Sequence, residues 1–119
     1  MKWNYKQFQL LKKKLHQTLD VRIISSSMEP WILTGSYVKV KIVRYEAIKP
    51  HDIVVYWRAE KLICHIVKRT YPSYFITSAL NQPSKNKRED PPIHRENFLG
   101  VVIEPRFGFV RQFLLRFLI

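Results

Sequence analysis

The chain has 119 residues, 46% of them hydrophobic and 25% charged, with 21 Lys+Arg against 9 Asp+Glu for a formal net charge of +12. That length fits one domain burying roughly two-thirds of its unfolded surface, and the composition excludes global disorder. Cys64 is the only cysteine, so an intrachain disulfide and a thiolate metal cluster are both excluded. His16, His51, His65 and His94 lack the spacings of a zinc site, and no metal or cofactor is expected. The positive balance favours an anionic partner, either the acidic leaflet of a membrane or nucleic acid, or else only steers an acidic substrate or keeps the protein soluble; composition does not choose among these.

In chain order, residues 4–19 read as an amphipathic helix. Phe8, Leu11, Leu15 and Leu19 form one stripe, with Lys6, Lys13, Lys14 and Gln17 mostly opposite. Such a helix packs on its own domain or lies on a membrane surface. Lys12-Lys13-Lys14 interrupts what would be the apolar core of a secretory signal, and nothing approaches the run of about 18 apolar residues that spans a bilayer. The expected location is therefore cytoplasmic or peripheral on the membrane.

From Val21 the pattern becomes β. Tyr37 to Val43 alternates apolar and basic residues, as a half-buried strand does. Ile53-Val54-Val55-Tyr56-Trp57 reads as a strand buried on both faces. Arg58 to Lys61 is a hairpin connection, Leu62 to Thr70 the next strand and Tyr74 to Thr77 a fourth. Asn81 to Arg95, rich in proline and charge, reads as a surface loop. Phe98 to Ile103 is a final strand. Arg106 to Ile119 is apolar, with three arginines and no acid. The expected organisation is one mainly β domain over 1–119: a helix within 1–20, an antiparallel β core over 21–104 and an apolar basic tail over 105–119.

Two stretches suggest chemistry. Ser25-Ser26-Ser27-Met28-Glu29-Pro30 lies between apolar runs. Read plainly it is a turn, because serines bond to nearby backbone and Pro30 fixes φ. Read as chemistry it holds a nucleophile, which needs a base. His65, on a strand face shared with Ile63 and Val67, is either a satisfied core histidine or that base. Histidine is the side chain that exchanges a proton near neutral pH, and nucleophile and base need not be close in sequence.

Together these stretches resemble a known family. Ser25-x-Ser27-Met28-x-Pro30, Gly35-x-x-Val38-x-Val40, Asp52-Ile53-Val54-Val55, His65-x-Val67 and Leu99-Gly100-Val101-Val102 follow in the order found in the superfamily of type I signal peptidases and SOS-type self-cleaving repressors. The resemblance covers roughly 21–104. His65 stands where the bacterial majority carries lysine, so the chain looks like the histidine branch of endoplasmic-reticulum and archaeal signal peptidases, without their membrane anchor. The resemblance implies a signal-peptidase-like serine endopeptidase that cleaves a signal or leader peptide after a small residue through an acyl-enzyme. Ser27 would be the nucleophile and His65 the general base. Ser25 and the Ser27 amide would hold the oxyanion, and Met28 and Pro30 would shape the substrate pocket.

Asp90 is the expected orienting acid. Asp52, in a turn before a strand, reads as structural, and Asp20 is a further candidate. The sequence departs from the family at His51-Asp52, where Gly-Asp is usual, and at Ser78-Ala79-Leu80-Asn81, where Gly-Asp-Asn is usual. The expected partner is a peptide or protein substrate, with peripheral contact to an anionic membrane; nucleic acid is not expected for a peptidase. A different class of reading is an inactive module on the same scaffold that binds an anionic membrane or nucleic acid.

Overall fold

A computed structural model gives the structure, which describes residues 4–23, 32, 34–79 and 90–104. Among these residues it is mainly β, with one short α-helix and one seven-stranded antiparallel sheet. The strands are β1 (Thr18–Arg22), β2 (Tyr37–Ile42), β3 (Ile53–Arg58), β4 (Lys61–Thr70), β5 (Tyr74–Ser78), β6 (Ile93–His94) and β7 (Phe98–Glu104). Their order is β1-β2-β7-β3-β4-β5-β6, so β7 returns from the end of the described chain to lie between β2 and β3.

The helix is shorter than its apolar stripe suggests. It runs Tyr5–Lys12 and starts at a capping box, with Asn4 and Gln7 exchanging side-chain-to-backbone hydrogen bonds. The expected helix over 4–19 is overturned at its second half. His16 adopts a positive φ of 68°, its amide donates to the Ile42 carbonyl, and the Ile42 amide donates back to Gln17. Pairing with β2 therefore takes the chain into a strand that includes Leu19, opposite Val40. Tertiary hydrogen bonding overrides a weak helical preference here. Leu15 is left exposed, and Phe8 is fully buried.

The sheet buries both faces. Ile53 and Val55 of β3 join a core with Phe8, Val40, Ile66 and Leu99, while Val54 and Tyr56 join a second core with Tyr45, Val67, Phe75 and Phe98. The period-2 alternation of a strand assigns successive residues of one run to opposite cores. In the second core Tyr56 meets Phe75 edge-on with ring centres 5.7 Å apart, and Phe75 meets Phe98 likewise at 6.0 Å. Each such pair adds about 0.5–1.5 kcal/mol beyond area burial, and together they tie β3, β5 and β7 on one face. Tyr45, in a 3₁₀ turn at Tyr45–Ala47, seals that face: its hydroxyl donates to the Tyr71 and Tyr74 carbonyls.

Two connections set the register around β4. Ala59 and Glu60 link β3 to β4 with φ of 50° and 66°, the left-handed pair of a type I′ hairpin turn, without the glycine that usually fills it. Between β4 and β5 the pairing slips between Val67 and Arg69, leaving Lys68 as an extra residue. Two elements were not apparent as strands in the sequence, β1 and the two-residue β6. The latter lies inside the stretch that reads as a polar loop. The tail at 105–119 lies outside the described residues.

Candidate active site

The second core carries a polar cluster at one end. Val54 of β3 lies opposite His65 of β4, and Tyr56 follows two residues on along the same face of β3. Val67, two residues after His65, lies opposite Thr77 of β5. Strand alternation thus brings Tyr56, His65 and Thr77 to one face from three adjacent strands. Asp90 closes the cluster. Its backbone amide donates to the Thr77 carbonyl at 2.8 Å, so the chain re-enters alongside β5 at Asp90, before β6 begins. Arg58 reinforces the placement by donating to the Pro91 carbonyl at 3.2 Å.

The side chains converge. His65 Nδ1 lies 2.6 Å from Asp90 Oδ2, and the Thr77 hydroxyl donates to the same oxygen at 2.7 Å. The Tyr56 hydroxyl lies 3.2 Å from His65 Nδ1 and 3.4 Å from Thr77 Oγ1. His65 and Asp90 keep 14% and 18% of their side-chain surface exposed, so the pair sits at the rim of the core with access to solvent.

Burial acts to raise the Asp90 carboxyl, but hydrogen bonds from His65 and Thr77, with the nearby charge of Arg58, outweigh it and hold the group below the usual aspartate value. Asp90 is therefore a carboxylate at neutral pH. Tyr56 behaves oppositely: burial pushes its phenol up to about 12, so it keeps its proton. A histidine whose Nδ1 is bonded to a carboxylate carries its proton there and presents the lone pair at Nε2, the arrangement that lets imidazole act as a general base.

Of the sequence-predicted residues, the structure brings His65 and Asp90 into contact. Asp52 sits elsewhere, in the turn before β3. Its carboxylate accepts from the Lys49 amide at 2.9 Å, and its carbonyl accepts from the Val67 amide at 2.8 Å. That is a structural role. Asp20 is exposed on β1, separated from β4 by β2, β7 and β3. Ser25, Ser27, Met28 and Pro30 lie outside the described residues.

Sequence reasoning missed Thr77 and Tyr56. The available signal was general: a hydroxyl inside an apolar strand must find a hydrogen-bond partner when buried. No family model and no curated protein matches the chain.

Proposed function

We propose that the chain is a serine endopeptidase of signal-peptidase type, cleaving a signal or leader peptide after a small residue through an acyl-enzyme. The observation that supports it best is the 2.6 Å contact between His65 Nδ1 and Asp90 Oδ2. It pairs the histidine of the family-like motif with a carboxylate from a segment twenty-five residues on, which is what a serine nucleophile's base requires. In this reading Ser27 attacks the scissile carbonyl. His65 takes the Ser27 proton at Nε2 and returns it to the leaving amine, while Asp90 stabilises the imidazolium. Ser25 and the Ser27 amide hold the oxyanion, Met28 and Pro30 border the substrate, and water then releases the acyl group.

The test is cleavage of a peptide library with small residues at the cut position, by wild type and by Ser27→Ala, His65→Ala and Asp90→Asn. Wild type cleaves. Ser27→Ala and His65→Ala lose most of the rate, and Asp90→Asn loses on the order of 10²–10⁴ in kcat because an amide favours the wrong tautomer. Equal cleavage by Ser27→Ala and wild type would end this reading.

The formal charge of +12 supports a second reading, a signal-peptidase-like module that binds an anionic membrane or nucleic acid. The two are compatible where a peptidase docks peripherally on an acidic leaflet, and among the described residues no helix is long and apolar enough to cross one. Binding to anionic vesicles or nucleic acid that weakens steeply with salt supports it. No binding at low salt removes it.

A further inference from the structure

The two hydroxyls that the sequence does not single out determine which way protons can run in the cluster. A separation of 2.6 Å between His65 Nδ1 and Asp90 Oδ2 requires a proton between the atoms, because two lone pairs at that distance repel. Thr77 Oγ1 lies 2.7 Å from the same oxygen, so the Thr77 proton also points at the carboxylate. With that proton committed, Thr77 Oγ1 has only lone pairs left for the Tyr56 hydroxyl 3.4 Å away. Tyr56 cannot donate to Nδ1, which already carries a proton; its own proton is directed to Thr77, and its oxygen lone pairs face the protonated Nδ1, with 3.2 Å between oxygen and nitrogen. All three hydroxyl and ring protons therefore point one way, from Tyr56 to Thr77 to Asp90 and from His65 to Asp90.

We propose that Thr77 and Tyr56 are positioning residues that lock His65 in its Nδ1–H tautomer, and so keep the lone pair at Nε2. Thr77 does this by fixing the Asp90 oxygen that receives the ring proton. Tyr56 does it by offering Nδ1 acceptors only. Both are built into rigid elements: Thr77 and Tyr56 are fully buried, Tyr56 is held edge-on against Phe75, and Thr77 also carries Asp90 on its carbonyl. A threonine used for structure alone would need its hydroxyl satisfied, but not by the carboxylate that faces a histidine. The lock itself stands on the geometry; only its catalytic use rests on the peptidase reading.

The experiment is ring proton–nitrogen correlation spectroscopy of the full-length, isotope-labelled chain at mildly alkaline pH, with His65→Gln identifying the His65 signals. Wild type and Thr77→Ser give one Nδ1–H signal set. Thr77→Val and Tyr56→Phe, which keep the buried volume, each give an additional Nε2–H set while the backbone amide spectrum stays that of the folded protein. A pure Nδ1–H form in the folded variants, or an Nε2–H form in wild type, overturns the proposal. If Thr77→Val does not fold, Tyr56→Phe alone decides.

In peptide cleavage both variants lose about tenfold in kcat with KM unchanged, and Thr77→Ser restores the rate. The spectra need no substrate, so the two ideas fail separately. A shifted tautomer in a chain that cleaves nothing retires the peptidase alone, whereas cleavage with an unmoved tautomer retires the lock alone.

Discussion

The His51 amide donates to the Val67 carbonyl at 2.8 Å while His51 itself holds φ at 78°. The bond ties the turn before β3 to the end of the β4 stretch that carries His65, at the cost of a left-handed backbone that a β-carbon disfavours. Glycine would hold this φ without that cost. His51→Gly is expected to stabilise the chain by about 1 kcal/mol, less the added entropy of a glycine in the unfolded state. A rise in the urea midpoint at unchanged slope checks it; a fall means the imidazole makes contacts worth more than the strain.

Gly100 is required by close approach rather than by φ. A β-carbon there would stand 2.2 Å from the Lys41 carbonyl oxygen and 2.9 Å from Val40 Cγ1. The neighbouring atom is backbone in β2 and cannot swing aside. Gly100→Ala should therefore force β7 away from β2 and destabilise by about 3 kcal/mol or more. A thermal midpoint within two or three degrees of wild type would mean the strands separate at little cost.

Acid should loosen the site. The folded Asp90 lies below its unfolded value, so its contribution to stability is complete above the ordinary carboxylate range of about 3.9 and is lost as pH falls through the lower folded value. Asp52 has the opposite sign. Its burial raises it despite the Lys49 amide and charge, so its protonation favours the folded state as pH falls. In denaturant midpoints measured from neutral pH down to the aspartate range, Asp90→Asn flattens the loss and Asp52→Asn steepens it. A profile unchanged by Asp90→Asn contradicts the assignment.

Ser78 presents the reverse problem. Its hydroxyl is wholly buried and has no hydrogen-bond partner among the described residues. An unsatisfied buried hydroxyl costs about 1–3 kcal/mol, so Ser78→Ala is expected to be neutral or to stabilise by about 1 kcal/mol. A loss of more than 1 kcal/mol in chemical denaturation would show that Oγ has a partner.

The strands with strong alternation or a β-branched run were legible in the sequence, because burial on one or both faces leaves a period that composition cannot hide. Tyr37–Ile42 and Ile53–Arg58 are of this kind. What was illegible depends on partners distant in sequence. Leu19 belongs to a helical stripe by spacing, and only the hydrogen bonds of Gln17 and His16 to Ile42 make its segment a strand. Ile93–His94 is too short to carry a period of its own. At the site, His65 stood out as a polar residue within an apolar run. Thr77 and Tyr56 did not, since both belong comfortably to strands, and their roles arise only where three strands meet Asp90.

Thr77 holds Asp90 at two points, main chain to main chain and hydroxyl to carboxylate. Both contacts originate on β5, so the place of the acid is set by that strand. Anything that slides β5 along β4 therefore carries the acid with it, so the His65–Asp90 distance reports the register between those two strands.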